Sequence, residues 1–159
     1  MRIFAVSGYS GTGKTALIEI LIRELVREGF SVATMKSSKH ELGPEKGTDT
    51  WRHKQAGAST TLFLKTSESQ VDLRERIGNE NLEMLAGNDF LIIEGMKTAD
   101  IPKFWCIGDT DFDLDDVPAG TQAVVTWSIR PHLISDIPIF THEDVSHLVE
   151  IVKTKSESI

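Results

Sequence analysis

A three-layer α/β sandwich around a largely parallel sheet is the fold the sequence predicts, on three observations. Short apolar runs alternate with stretches of helical period, as strand–helix–strand units require. The runs Ile3–Val6 and Phe90–Ile93 are apolar throughout, the mark of strands covered on both faces. The chain has 159 residues, 40% hydrophobic and 26% charged, which suits one domain that buries about two-thirds of its unfolded surface.

The elements follow in order. Ile3–Val6 is a strand ended by a Gly/Ser cluster. From Gly13 to about Glu28 the pattern is helical: Leu17, Ile18, Leu21, Ile22 and Leu25 line one face, and Glu19, Arg23 and Arg27 the other. Gly29 is placed to supply the left-handed cap. Ser31–Met35 is the next strand, reached by a right-handed crossover. Lys36–Thr50, with Gly43, Pro44 and Gly47, has no period and is expected as a long functional loop. A short helix over Asp49–Gln55, a strand over Thr60–Leu64 and a weak helix over Asn79–Leu85, stopped by Gly87, come next. Phe90–Ile93 is the central strand, and Phe104–Ile107 and Ala123–Thr126 are further strands flanking an acidic loop from Asp109 to Asp116. That loop lacks the glycine and closing glutamate of a calcium loop and is expected to be solvated. Thr141-His142-Glu143-Asp144 reads as a capping box that starts a last helix running to about Val152, with Lys153–Ile159 expected to fray. Residues 1–159 form one domain with no repeat or linker.

Composition excludes several functions. Seventeen basic against 24 acidic residues give a net charge of −7, so no excess of cations exists to coat a nucleic acid. The lone Cys106 excludes a disulfide framework or a cysteine-built zinc site. No run approaches the ~18 apolar residues of a membrane span, and the start resembles no leader peptide, so a cytoplasmic protein is expected.

Gly8-Tyr9-Ser10-Gly11-Thr12-Gly13-Lys14-Thr15 fits G-x-x-x-x-G-K-[ST] and lies where that pattern needs to be, after a strand and opening a helix. The glycines let successive N–H groups turn inward onto phosphate oxygens, and the helix adds its positive end. Lys14 is expected to reach the β- and γ-phosphates and the Thr15 hydroxyl to bind Mg²⁺. Glu94 ends the central strand before Gly95, where a carboxylate beside the metal is expected. In Asp49–Ala58, Arg52 suits bidentate phosphate binding, His53 a ligand hydrogen bond, and Asp49 either a helix cap or a functional carboxylate. Ala56-Gly57-Ala58 suits close helix–strand packing; His142 and His147, five apart, do not read as a metal pair.

The phosphate loop, the Lys36…His40 stretch, Asp49–Ala58, Glu94-Gly95-Met96-Lys97 and Asp136–Phe140 stand in this order in one family, and the sequence resembles MobB, the molybdopterin-guanine dinucleotide biosynthesis adaptors. The resemblance spans roughly Met1–Val152 and is faintest between Ile107 and Gln122. It implies a homodimeric P-loop protein that binds GTP and Mg²⁺, a weak GTPase at most. Such a protein works beside the MobA guanylyltransferase that attaches GMP to molybdenum-bound molybdopterin, itself a further candidate ligand. Carried over by position, Gly8–Thr15 with Ala16 hold the nucleotide, Lys14 and Glu94 are the catalytic pair, and Thr15 and Glu94 take the metal. His40, Asp49, Arg52 and His53 then approach from the loop, with Lys97 at the active face. Two departures stand out: Ser37-Ser38-Lys39-His40 replaces the family's histidine-rich run, and Tyr9 sits where related ATPases carry a second lysine. No Asn-Lys-x-Asp motif is present, so guanine preference comes with the resemblance. The alternatives are a small-molecule kinase closing Arg74 and Arg76 over its substrate, or a metal-delivery GTPase using His40 and His53.

Overall fold

The computed structural model describes residues 1–38, 45–65, 73–109, 117–129 and 136–159. The elements run β1 (Arg2–Gly8), α1 (Lys14–Arg27), β2 (Val32–Ser38), α2 (Asp49–Ala56), β3 (Thr60–Lys65), α3 (Leu73–Ile77) and α4 (Asn79–Leu85). They continue with β4 (Phe90–Glu94), β5 (Lys103–Gly108), β6 (Thr121–Thr126), β7 (Ile139–Thr141), α5 (Val145–Lys155) and β8 (Glu157–Ser158). The strands lie in the order β3-β2-β4-β1-β5-β6-β7, every neighbouring pair along this path parallel. Only β8 runs antiparallel, pairing Arg2 with Ser158 and Ile3 with Glu157 along the stretch of β1 that β5 does not reach.

Alternate side chains of the central strands face opposite layers. Phe4, Val6, Phe90, Ile92, Phe104 and Cys106 point to one side, where Leu17, Leu21 and Leu25 of α1 and Leu148 and Val152 of α5 cover them. Ile3, Ala5, Leu91 and Ile93 point to the other, against Ile77 of α3 and Leu85 of α4. The three-layer expectation holds, with helices on both faces. Ala56 and Ala58 enter the first core, and Gly57 at φ +115° brings α2 close to Ile22 and Val26 of α1.

Several boundaries differ from the sequence reading. The stretch taken to begin the long loop at Lys36 continues β2 to Ser38. α3 was not anticipated, nor were β7 and β8. The last helix starts at Val145 rather than within Thr141–Asp144: Thr141 belongs to β7, and its N–H and hydroxyl both donate to the Asp144 carboxylate, at 2.8 and 3.0 Å. The expected fraying of Lys153–Ile159 is also wrong. α5 runs on to Lys155, and the end of the chain is held on the sheet by β8. Because the neighbouring strands are parallel, the ends of β1, β2, β4, β5 and β6 open at one edge, and from β1 the chain crosses to one side for β2 and β4 and to the other for β5 and β6. Such a switch point is where open α/β sheets take their ligands.

Candidate nucleotide site

Two glycines of the loop leaving β1, Gly8 and Gly13, could not take a side chain without displacing a neighbour. At Gly8 (φ +151°) a Cβ would lie 2.3 Å from the Cys106 carbonyl oxygen, and at Gly13 (φ +85°) 1.9 Å from Nε1 of Trp127. The indole N–H of Trp127 donates to the Thr12 carbonyl at 2.9 Å, so the ring lies on the loop and fixes it from behind. The Thr12 hydroxyl donates to the Tyr9 carbonyl at 2.9 Å, and the Lys14 ammonium donates to the same oxygen. The first helical bond of α1 runs from Leu17 N–H to the Gly13 carbonyl, 3.0 Å, so the amides of Lys14, Thr15 and Ala16 precede it. These are the free N–H groups of a helix start, and they favour an anion.

Beside the loop the structure gathers Thr15, Lys36, Asp49, His53 and Glu94. β2 and β4 are paired with Lys36 opposite Glu94, and the Lys36 ammonium bonds to Glu94 Oε1 and lies 2.7 Å from Asp49 Oδ2. The Thr15 hydroxyl lies 2.9 Å from Asp49 Oδ1 and 3.2 and 3.3 Å from the two Glu94 oxygens. One hydroxyl proton cannot satisfy both carboxylates, so hard oxygens are held together with fewer protons than they accept. That arrangement fits Mg²⁺, which takes one or two carboxylates, a hydroxyl and phosphate oxygens. His53 is wholly buried beneath Glu94, Nε2 3.3 Å from Oε2 but without the alignment of a hydrogen bond; Nδ1 also lacks a partner.

The charges are tuned by this company. Burial works against ionisation of Glu94, which is only 1% exposed, yet the His53 contact and the Lys36 ammonium outweigh it and hold the carboxyl below its ordinary 4.5. Asp49, also penalised by burial, is held below 3.8 by Lys36 and Thr15. Lys36 is raised above 10.5, burial being overcome by Glu94 and Asp49. Lys14 is lowered: burial dominates, Glu94 offsets part of it, and Lys36 and Lys97 add to it.

A pH dependence follows. Depressed carboxylates stabilise the fold above their unfolded values and lose that contribution as pH falls through the lower folded ones. Urea unfolding of the ligand-free protein is therefore expected to show stability that declines below about pH 4.5, with a smaller decline in Glu94→Gln. The same acid slope in both proteins would contradict this.

Of the residues singled out in the sequence, the structure brings together Lys14, Thr15, Asp49, His53 and Glu94 beside the glycine loop. Asp49 is not the cap of α2. Thr48 is, its hydroxyl accepting from Trp51 N–H at 3.4 Å, which leaves the Asp49 carboxylate for the site. Arg52, singled out for bidentate phosphate binding, is bound through Nε to Glu19 of α1, 2.5 Å. Lys97 lies at the loop mouth over the Tyr9 ring, 4.4 Å from its centre. His40 lies outside the described residues, as do residues 110–116 of the acidic loop. His142 packs on Trp127 and His147 stacks on Phe140. Sequence reasoning missed Lys36 and Trp127 as site residues. A lysine closing an apolar strand was a visible signal for Lys36; Trp127 carried none.

The family model described as molybdopterin guanine dinucleotide synthesis protein B matches residues 3–114. The chain belongs to the MobB family. The match stops within the region where the resemblance is faintest. A molybdopterin-guanine dinucleotide biosynthesis adapter protein of Haemophilus influenzae is 36% identical over 108 residues, covering 64% of this chain and 60% of the relative. A putative one of Methanocaldococcus jannaschii is 36% identical over 119 residues, covering 70% and 49%. The chain thus spans half to three-fifths of the length of these two relatives. The adapter protein of Escherichia coli is 30% identical over 161 residues, covering 94% of this chain and 90% of the relative. Among solved structures, Bacillus subtilis MobB superposes with a TM-score of 0.65 at 23% identity, each chain fully covered. HypB of Helicobacter pylori in complex with nickel gives 0.66 at 17% identity, covering 99% and 90%. These two likenesses carry the α/β P-loop fold. Among the described residues no three of His, Cys, Asp and Glu are arranged to hold a metal ion by themselves, and no helix is long and apolar enough to cross a membrane.

Proposed function

We propose that this chain is a GTP-binding adaptor in the synthesis of molybdopterin guanine dinucleotide, acting as a homodimer beside a MobA-type guanylyltransferase. The observation that carries the nucleotide part is the junction of β1 and α1. There a glycine loop, three helix-start amides and the Lys14 ammonium come together, with the Thr15 hydroxyl bonded to Asp49 and Glu94. Guanine preference and the transferase partner rest on family membership.

In this reading the loop amides and Lys14 bind the β- and γ-phosphates, and Lys14 leaves the Tyr9 carbonyl to do so. Thr15 and Glu94, with Asp49, would hold Mg²⁺, which supplies charge neutralisation across the phosphates. Glu94 is kept ionised by Lys36 and by the contact with His53. Hydrolysis of the bound GTP breaks the bond between the β–γ bridging oxygen and the γ-phosphorus, as water attacks, giving GDP and phosphate. Any such turnover is expected to be weak, because the Glu94 and Asp49 carboxylates are committed to Lys36, Thr15 and the metal, and His53 is wholly buried.

Calorimetric titration with GTP and ATP in Mg²⁺, with and without a MobA-type transferase, tests the proposal. GTP is expected to bind more tightly than ATP and the transferase to form more dinucleotide in the protein's presence. Lys14→Ala is expected to lose about a hundredfold in triphosphate affinity, the worth of a charge-assisted contact to phosphate. Equal binding of the two nucleotides, with unchanged transferase yield, would remove the adaptor reading; unchanged affinity in Lys14→Ala would remove the nucleotide site.

A further inference from the structure

Lys97 is unusual in having a rigid backbone beneath an exposed side chain. The turn that carries it begins at Gly95 (φ +108°), where a Cβ would meet the Ser37 carbonyl oxygen at 2.7 Å. Next comes Met96 (φ +52°), the one non-glycine residue with positive φ among the described residues. An L residue in that region costs about as much as one ordinary hydrogen bond gains, and persists where the surroundings over-determine it. Here they do. Met96 is buried in the apolar cluster with Ile93 and Ile101, Gly95 N–H bonds to Val6 of β1 at 3.0 Å, and the Ser7 hydroxyl donates to the Gly95 carbonyl. From below, the buried Lys103 ammonium donates to the Lys97 carbonyl at 3.2 Å and to the Ala99 carbonyl. Strained backbone held this firmly belongs to functional positions more often than to plain turns.

The Lys97 ammonium is parked on the Tyr9 ring, which is 51% exposed and propped edge-on against Trp105. Tyr9 is the first residue after Gly8 in the phosphate loop, and its carbonyl receives the Lys14 ammonium. Two cations thus attend one loop residue, Lys14 from the backbone side and Lys97 from the ring side. Their mutual repulsion contributes to the lowering of Lys14, after burial and Lys36. An exposed cation–π contact is weak, whereas an ammonium bond to phosphate is charge-assisted and stronger.

We propose that Lys97 is a sensor of the terminal phosphate: parked on Tyr9 when the site holds no γ-phosphate, it transfers to that phosphate when a nucleoside triphosphate binds. The inference rests on the nucleotide reading above and deepens it. It gives the terminal phosphate a second ammonium beside Lys14 from within the same chain. Because a diphosphate offers nothing at that position, Lys97 contributes to triphosphate affinity and not to diphosphate affinity.

The test is calorimetric binding of GDP and of a non-hydrolysable GTP analogue, both with Mg²⁺, to the wild-type chain, Lys97→Met, Lys97→Arg and Tyr9→Leu. Lys97→Met is expected to weaken the triphosphate about tenfold or more and the diphosphate less than about twofold. Lys97→Arg is expected to restore most of the loss. Tyr9→Leu, which removes the parking site, is expected to tighten the triphosphate about two- to fivefold, the worth of one exposed cation–π contact. Equal losses for both nucleotides in Lys97→Met, or none for either, overturn the sensor while leaving the nucleotide site intact. A wild-type chain that binds neither nucleotide overturns the nucleotide reading and the sensor with it, a result no Lys97 variant can imitate.

Discussion

Gly13→Ala is expected to lower the thermal midpoint by about 10 °C and to abolish measurable triphosphate binding, although it adds one methyl group. The added carbon would sit 1.9 Å from Nε1, 2.3 Å from Cε2 and 2.5 Å from Cζ2 of Trp127, so the indole has to leave. Leaving breaks its 2.9 Å hydrogen bond to the Thr12 carbonyl and its packing on His142. The alanine must also hold φ near +85°, a strain of about 1–2 kcal/mol. With the lost hydrogen bond at about 1 kcal/mol and overpacking at about 1–3 kcal/mol, the total is on the order of 3–6 kcal/mol. Differential scanning calorimetry of Gly13→Ala, Trp127→Ala and the double variant separates the parts. Removing the indole removes the collision, so the double variant should be more stable than the sum of the single losses predicts. Strict additivity, or a Gly13→Ala midpoint within about 2 °C of wild type, would show that the ring does not clamp the loop.

That clamp joins residues 115 positions apart and explains why the site could be only partly read from the chain. The phosphate loop and Glu94 were legible because their signals are local: a spaced glycine pattern at a strand–helix junction, and a carboxylate closing an apolar run. Asp49 was legible as a residue of interest, but its role was undecided until Thr48 proved to be the cap. Lys36 became a site residue only through the strand order, which sets β2 beside β4 and so Lys36 opposite Glu94. Strand order is a property of the whole sheet and leaves no trace in one strand's residues. The misses in the fold have the same origin. β7 and β8 have three and two residues, too short for an alternation to show, and exist because neighbouring strands offer unpaired backbone. The Thr141–Asp144 pattern was real as hydrogen bonds, yet a preceding strand fixed the Thr141 backbone as extended, so the box closed a turn before the helix instead of its first turn.

Glu94→Ala is expected to cost about 3 kcal/mol of unfolding free energy, and Glu94→Gln clearly less. The carboxylate is 1% exposed and touches Thr15, Lys36 and His53, so its removal leaves an opening under the sheet edge and a half-buried ammonium short of one partner. A buried pair broken from one side loses about 3–5 kcal/mol. The lower end applies because Asp49, 2.7 Å from the Lys36 ammonium, remains as its counter-charge. Glutamine keeps an oxygen for the Thr15 hydroxyl and fills the same space; what it loses is the charge. In function the order reverses its emphasis. Nucleotide affinity, carried by the loop amides and Lys14, should survive Glu94→Gln nearly unchanged, while Mg²⁺-dependent phosphate release should fall by about a hundredfold, because the neutral amide no longer balances the cation. Urea unfolding of both variants and of Lys36→Met/Glu94→Gln, with phosphate release measured for the glutamine form, checks each part. The double variant should lose less than the sum of the single losses, since the Lys36–Glu94 interaction can be lost only once, while Asp49 keeps its bond to the Thr15 hydroxyl. Equal losses of binding and turnover in Glu94→Gln would remove Glu94 from the proposed metal site, and a double variant no better than additive would mean that the Lys36–Glu94 pair does not stabilise the fold.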